Sequence, residues 1–351
     1  MSETGRRVTI ARLAEFIATA LGATGLGAGD AVKVGRLMAE CDAIGGDAHG
    51  VFRLPQYVRR LKAGGYNARP NIRIAREKTA MAVIDGDNAM GHLVMSRAAD
   101  LAIDKARNSG VAWVGARYSN HAGPAAIYAR MPLAHDMIGV YVAVGSANHL
   151  PPWGGTEMLL STNPIAIAVP SSERPPIVLD MATTVAAYGK VKTLAQRGEP
   201  MPEGWMIDRQ GRPLTDPGRS AEGFLLPIGG PKGYGLSLMF GILAGALNGA
   251  ACGREVVDFN ADDTSITNTG HFIVAVDIAA FGEVEAFKQE MDRVWSEMKS
   301  SPLLPGFDEI RLPGERSHQV ELDRRARGVP VHAALDTALG ALADDLGIER
   351  L

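Results

Sequence analysis

The feature that most constrains the fold is an alternation of short apolar runs with longer amphipathic segments through the middle of the chain. Six runs are rich in β-branched and apolar residues and have the length of strands; they lie at residues 81–86, 112–118, 138–144, 165–170, 176–182 and 271–278. Helical periodicity predicts helices at about 96–108 and 284–300. This alternation is typical of an α/β layer architecture, whose loops at the strand ends carry ligand-binding groups.

Both ends of the chain are predicted to be helical. We expect an amphipathic helix over residues 9–22 with Thr9 as its N-cap, and a second helix capped by Asp30. A third helix is expected to end at Gly64-Gly65, and a last one to run over residues 330–346.

Two segments outside these elements have unusual compositions. Residues 193–227 are rich in Pro, Gly and charge, which predicts a long loop. Residues 236–251 are almost wholly apolar but number sixteen, fewer than the roughly 20 that span a bilayer. Glycines recur there at every fourth position, at Gly241, Gly245 and Gly249. Because such spacing permits close packing, we expect a buried core helix against the sheet or a partner subunit, and no membrane span.

Charge and cysteine usage exclude several classes of protein. The formal net charge of -3 gives no basic footprint for nucleic acid or an anionic membrane. Cys41 and Cys252 lie far apart and form no CxxC pattern, so neither a disulfide framework nor a metal site is expected. The first helix is amphipathic and interrupted by Glu15, unlike a secretion signal, so the cytoplasm is the expected location.

The segment GGDAHGVFRLPQYVRRLK, at residues 45–62, contains the first candidate for catalysis. His49 and Arg53 are four residues apart and would share a face in a helix. Imidazole titrates near neutrality, and guanidinium offers a planar fork of donors to a carboxylate. The same spacing also occurs on ordinary solvated helices, but the flanking glycines and Pro55 predict a turn that enters a short helix.

Two further segments could contact a ligand. His121 lies in the loop SNHAGP after a predicted strand, where α/β proteins bind ligands, although the backbone of that loop could equally satisfy it. Lys232 lies in the glycine-rich LPIGGPKGYG at residues 226–235, which either offers backbone amides to an anion or forms a tight turn. No G-x-G-x-x-G fingerprint follows a strand, so a conventional dinucleotide-binding fold is not indicated.

These phrases resemble one known family. The segment around His49 is similar to D-S-H-G-x-x-R-L-P-x-Y-x-x-R-L of the type 2 malate/L-lactate dehydrogenases, which differ in fold from the Rossmann dehydrogenases. SNHAGP, STNPIAIAVP, LDMATTVAAYGKV, LLPIGGPKGYGLSLM and LPGERS look like further family phrases, in order, from about residue 10 to about 320. The GPKGYGL form is especially similar to ureidoglycolate dehydrogenases.

The resemblance implies a fold and a division into domains. The fold would be α/β and non-Rossmann, with a mixed, mainly seven-stranded sheet flanked by helices. Residues 76–283 would form the α/β cofactor-binding domain. Residues 1–75 and 284–351 would join in a helical domain built from both chain ends, and the protein would be a homodimer.

The resemblance also implies a chemistry: hydride transfer between NAD or NADP and C2 of a small 2-hydroxy or 2-oxo acid. Arg53 would bind the substrate carboxylate, with Thr162 as a second substrate contact, and either His49 or His121 would move the proton. The cofactor contacts would be His121, Ser146, Asp180, Met181, Ala182, Lys232, Gly314, Glu315 and Arg316.

One residue departs from the family pattern. Ala48 replaces the serine that precedes the histidine, so the histidine must be oriented by another group. That serine is a proposed proton relay in the related reductases of cyclic ketimine carboxylates, which makes the ketimine reaction the alternative to the hydroxy acid reaction. A third alternative is a binding protein that kept the fold and lost catalysis.

Overall fold

The computed structural model describes residues 5–351, which form a mixed sheet surrounded by helices. The helices are α1 (Ile10–Ala23), α2 (Ala28–Ala43), α3 (Leu54–Lys62), α4 (Gly91–Ser109), α5 (Ala126–Ala129), α6 (Tyr188–Arg197), α7 (Pro231–Phe240), α8 (Val284–Lys299), α9 (Glu315–Arg327) and α10 (Ala333–Leu346). The strands are β1 (Gly5–Val8), β2 (Arg73–Lys78), β3 (Met81–Asp85), β4 (Val111–Ser119), β5 (Met137–Ala143), β6 (Asn148–Leu150), β7 (Leu160–Ser161), β8 (Ile165–Val169), β9 (Ile177–Met181), β10 (Met206–Asp208), β11 (Gly223–Leu225), β12 (Thr269–Asp277) and β13 (Val329–His332).

The main sheet has seven strands in the order β2-β3-β4-β12-β5-β8-β9. The pair β3–β4 is parallel and the other neighbours are antiparallel, so the predicted mixed seven-stranded sheet is confirmed. The six predicted strands all form. Strand β2 was not predicted, because its residues, RIAREK, are mostly charged and lie exposed at the sheet edge.

Helix limits differ from the prediction at several ends. Thr9 caps α1 as expected, since its hydroxyl accepts a hydrogen bond from the backbone N–H of Arg12. Asp30 does not cap α2; the N-cap is Gly27, and Asp30 lies in the first turn, where its charge suits the helix dipole. Helix α4 begins at Gly91, before the predicted start at about residue 96.

The C-terminal helix also starts later than predicted. Pro330 belongs to β13, which pairs antiparallel with β1, and α10 begins only at Ala333. The two chain ends therefore meet as strands as well as helices.

Two hydrophobic clusters lie on either side of α4. One packs α4 against the sheet, with Ala99, Val114 and Ile273 fully buried. The other joins residues from both chain ends, including Leu13 of α1 and Leu339 of α10. The domain limits at residues 75/76 and 283/284 stay a prediction.

The expected loop at residues 193–227 is wrong, because the structure contains secondary structure there. Helix α6 precedes the antiparallel pair β10–β11, and α6 and the segment together form a small core of Val191, Met201, Met206, Leu214 and Leu225. Prolines and charges are frequent because each of these elements is short and most of its surface faces water.

The expected buried helix at residues 236–251 is also wrong in part. Helix α7 starts earlier, at Pro231, and is followed by a π-helical turn at Gly241–Gly245 and a 3-10 turn at Ala246–Asn248. Ala244 and Gly245 are buried, but Met239 is 51% and Leu247 62% exposed. Within residues 5–351, no helix combines the length and apolarity that crossing a membrane requires.

Candidate active site

The buried carboxylate of Asp42 stabilises the turn that carries His49. The backbone N–H of Val51 donates to Asp42 at 2.8 Å, and a Cβ on Gly50 would collide with the same carboxylate. Burial raises the pKa of Asp42 to about 8. A 3-10 turn at Val51–Arg53 then leads into α3, whose first turn contains Pro55. The predicted turn into a short helix is confirmed, and glycine at position 50 is required by space.

Four rings pack together beside the His49 turn, and we call them the histidine cluster: His49, Tyr57, His121 and Phe259. The imidazoles of His49 and His121 stack with centroids 5.4 Å apart, and Phe259 stacks on His121 at 4.8 Å. The Tyr57 hydroxyl lies 2.6 Å from Nδ1 of His121. The structure thus brings together the two histidines that the sequence predicted separately.

Both imidazoles are held in the neutral form. Burial lowers the pKa of His49 to about 4, with a further contribution from the charge of Arg53. The pKa of His121 is lowered well below its ordinary value, first by burial and then by the neighbouring His49 and Arg53. At neutral pH either ring can therefore accept a proton.

The two histidines differ in how they are positioned. Nδ1 of His49 is buried without a hydrogen-bond partner, and Ala48 offers no hydroxyl. His121 is fixed through Nδ1 by Tyr57. Neither Nε2 atom is hydrogen-bonded to another described residue or fully buried, so these are the nitrogens a substrate could reach.

Arg53 lies beside the histidine cluster without a carboxylate partner among residues 5–351. Its Nε donates to the carbonyl of Ala48 at 3.0 Å, and Nη1 donates to Gln56 at 2.9 Å and Asn260 at 3.1 Å. The guanidinium carbon lies 5.5 Å from the centroid of Phe259. Its Nη2 makes no hydrogen bond to the described part of the chain, which leaves a donor for an anionic ligand.

Ser146 and Thr162 follow strands β5 and β7, and Ser146 contacts the histidine cluster through its backbone. The Ser146 carbonyl accepts from the N–H of Phe259 at 3.1 Å. The Thr162 carbonyl accepts from the N–H of Thr183 at 3.0 Å. The Thr162 hydroxyl lies 3.2 Å from where a Cβ on Gly145 would be. Thr162 therefore borders the Gly145–Ser146 turn, and it makes no hydrogen bond to Arg53.

Five of the predicted cofactor residues lie on or against the edge strand β9 and the turn after it. Asp180 and Met181 are in β9 and Ala182 follows them; Asp180 accepts a hydrogen bond from the N–H of Ala126 at 2.9 Å. Gly314 has a φ of 86° and packs so closely on Val178 that a Cβ would lie 2.9 Å from that side chain. Glu315 forms an ion pair with Lys299 at 2.6 Å and accepts from the N–H of Leu312, so it holds its own turn.

Lys232 and Arg316, which we call the helix-start cations, lie in the first turns of α7 and α9. Neither makes an ion pair or hydrogen bond within the described range 5–351. A cation near a helix N-terminus is electrostatically unfavourable, and an anion there is favourable. The Gly229-Gly230 turn before α7 borders Thr183, whose carbonyl accepts from Ile228. Each of the two helix starts could therefore bind an anionic group such as a phosphate.

Sequence analysis missed several residues of the site. Tyr57 could have been found, because it repeats the four-residue spacing from Arg53 that links Arg53 to His49. Phe259 and Asn260 lie about 200 residues away in the chain and carry no signal of their own. Lys192 was missed because it lies between the family phrase that ends at Val191 and the segment at residues 193–227 that was expected to be a loop. In residues 5–351 no group of three or more His, Cys, Asp or Glu side chains is arranged to hold a metal ion.

The chain matches the malate/L-lactate dehydrogenase family over residues 8–339. It is 37% identical to a malate dehydrogenase of Pyrococcus horikoshii over 98% of this chain and 97% of the relative. An L-sulfolactate dehydrogenase of Methanocaldococcus jannaschii is 37% identical, with 91% of each chain covered. A ureidoglycolate dehydrogenase (NAD(+)) of Escherichia coli O157:H7 is 32% identical over 91% of this chain and 90% of its own length.

Solved structures agree with these relatives. The malate dehydrogenase structure from Pyrococcus horikoshii superimposes with a TM-score of 0.91 at 36% identity, covering 100% of this chain and 98% of the other. A delta1-piperideine-2-carboxylate reductase from Pseudomonas syringae has a TM-score of 0.85 at 27% identity, covering 96% of this chain and 100% of the other.

The fold and these relatives define the class of protein: a nicotinamide-dependent 2-hydroxy acid dehydrogenase. The chain belongs to the malate/L-lactate dehydrogenase family. The predicted family, fold class and enzyme class are thereby confirmed.

Proposed function

We propose that the chain interconverts a small 2-hydroxy acid and its 2-oxo acid, with Arg53 binding the C1 carboxylate and His121 exchanging the hydroxyl proton. The observation that carries this proposal is a partly buried guanidinium with a free donor and no carboxylate partner among the described residues, lying beside neutral imidazoles. A carboxylate would supply the missing partner, and would orient C2 toward the histidine cluster.

We prefer His121 to His49 as the proton carrier because a hydrogen bond with Tyr57 fixes the orientation of its ring. When Nδ1–H donates to the Tyr57 oxygen, Nε2 carries the lone pair that a general base requires. During oxidation of the hydroxy acid Nε2 accepts the hydroxyl proton, and during reduction it returns that proton to the carbonyl oxygen. Tyr57 then stabilises the charged ring through the same hydrogen bond.

The nicotinamide dinucleotide supplies or accepts the hydride at C2 when it is bound. The residues that would hold it are the helix-start cations Lys232 and Arg316, with the turn at Gly314, the end of β9 at Asp180–Ala182, and Ser146. Their support is that neither cation forms an ion pair or hydrogen bond within residues 5–351.

The first test is an absorbance assay at 340 nm. Purified protein is mixed with NADH or NADPH and, in turn, pyruvate, oxaloacetate, 2-oxoglutarate and piperideine-2-carboxylate. We expect cofactor oxidation with at least one 2-oxo acid, and the active mixture identifies NAD or NADP. Failure with every acid, together with failure to bind either cofactor, would favour an inactive binding protein of the same fold.

The second candidate function is reduction of a cyclic ketimine carboxylate. The resemblance of the fold to the Pseudomonas syringae reductase favours it, and Arg53 could bind an imino acid in the same way. Ala48 counts against it, since the family serine is absent. Turnover of the cyclic imine alone would select this function.

We also propose that the protein is a cytoplasmic homodimer. Along α7 and the turn after it, Leu236, Met239, Ile242 and Leu247 are between 39% and 62% exposed, an apolar surface that a second copy could cover. Cys41 and Cys252 are free thiols, which suits a reducing compartment. Light scattering of wild type and Met239→Glu tests the dimer, and a monomeric wild type would contradict it.

A further inference from the structure

Lys192 projects from α6 toward Asn260, which also accepts a hydrogen bond from Arg53. Its Nζ lies 3.5 Å from Oδ1 of Asn260, and Nη1 of Arg53 lies 3.1 Å from the same oxygen. Asn260 is oriented by Asp258, which accepts from both the backbone N–H and Nδ2 of Asn260. A single amide oxygen therefore holds two cations close together beside the histidine cluster.

The position of α6 relative to the His49 turn is well defined. A Cβ built on Gly189 would lie 3.6 Å from Cβ of Ala48. Tyr188, at the start of α6, stacks on His149 at 4.2 Å, and the Lys192 ammonium lies 5.5 Å from the Tyr188 ring. The small core of the 193–227 segment includes Val191, so α6 is packed on one side and presents Lys192 on another.

The two cations lack an adequate counter-charge. Within residues 5–351 neither Lys192 nor Arg53 forms an ion pair with a carboxylate. Burial and then the charge of Arg53 lower the pKa of Lys192. The charge of Asp258 raises this pKa, but that carboxylate already accepts a hydrogen bond from Asn260. A ligand with one negative charge could neutralise Arg53 only, whereas a dianion could neutralise both.

Resting on the proposed function, in which Arg53 binds the C1 carboxylate, we propose that Lys192 binds a second anionic group at the far end of the substrate. The chain then prefers 2-hydroxy acids that end in a carboxylate or sulfonate over those that end in a methyl group. The spacing suits a short dianion, because the two cations can be no farther apart than their shared contact with Asn260 allows.

The experiment compares two 2-oxo acids of equal chain length that differ in the terminal group, oxaloacetate and 2-oxobutyrate. The kcat/KM of each is measured with the full-length protein and the active cofactor, for wild type, Lys192→Met and Lys192→Arg. Lys33→Met is the matched control, because it removes the same charge from an exposed position on α2. A thermal melt of each variant verifies folding.

We expect Lys192→Met to lower kcat/KM for oxaloacetate by about 10- to 100-fold, the range of a lost charge-assisted hydrogen bond. The value for 2-oxobutyrate should stay within about threefold, and Lys192→Arg should retain most of the preference. Equal losses with both acids, or no loss with oxaloacetate, would overturn the assignment.

If the wild type reduces neither acid, the proposed function fails and Lys192 is judged by binding. Isothermal titration calorimetry with malate and 2-hydroxybutyrate then replaces the assay. Tighter binding of malate to wild type than to Lys192→Met, with no such difference for 2-hydroxybutyrate, would support the anion site. Equal affinities, or no binding of malate to the wild type, would reject it.

Discussion

The histidine cluster and the helix-start cations differ in how much water reaches their functional atoms. In the cluster, His49, Tyr57, His121 and Phe259 pack ring on ring, and burial keeps the imidazoles neutral. Lys232 and Arg316 lie exposed and make no ion pair in the described part of the chain. Under the proposed function, proton transfer would rely on a preorganised, desolvated environment, whereas phosphate binding would rely on exposed cations whose charge the bound phosphate neutralises.

Arg53 borders the histidine cluster, and removing it should have the largest effect. Arg53→Ala is expected to lower kcat/KM for a 2-oxo acid by about 10³-fold, because a carboxylate in a partly buried site would lose its cationic partner and the Nη2 donor. Steady-state kinetics measure this effect, with Arg53→Lys as the control that keeps charge but loses the planar fork. A normal kcat/KM in Arg53→Ala would refute the carboxylate-binding role.

The two histidines can be separated by the same measurement. His121→Ala should lower kcat by about 10²-fold or more, the range for loss of a general acid or base, and Tyr57→Phe should have a smaller effect in the same direction. His49→Ala should cost less than His121→Ala, since His49 has no hydrogen bond that positions it. The opposite order would assign the proton to His49.

The helix-start cations should show a smaller and different response. Lys232→Met is expected to raise KM for the cofactor by about fivefold, the size of an exposed charge at a helix N-terminus, while KM for the 2-oxo acid stays unchanged. Arg316→Met should behave alike, and the effect should shrink in high salt. A change confined to substrate KM would place these residues outside the cofactor site.

A change of pH within the neutral range should alter kcat/KM less than any of these substitutions. The pKa of His121 is lowered from its ordinary value of 6.5, so the base stays unprotonated above that pH and loses activity only as the pH falls below it. The profile of kcat/KM for hydroxy acid oxidation should therefore be flat on its acid side down to about pH 6. An acid limb above pH 6.5 would show that the ring is not desolvated in solution.

Sequence patterns predicted the sheet and the turn at His49 because those depend on local periodicity and on glycine and proline. They failed where the outcome depends on distant partners. The charged strand β2 is recognisable only beside β3, and Asn260 joins Arg53 only through the tertiary fold. Residues 193–227 were expected to be a loop because they are rich in Pro, Gly and charge. The few apolar residues with which they complete a small core on α6 lie in separate short elements and give no periodic signal.

Residues 193–227 and α6 form a unit with its own small core, separate from the core of the main sheet. Its apolar contacts are largely internal, and it approaches the catalytic residues through a few side chains on α6. Under the proposed function, changes within it could alter which acid is recognised without disturbing the ring packing around the proposed proton carrier. A fold built in this way could diversify its substrates quickly while its reaction stayed the same, because the two properties reside on separately stabilised pieces of chain.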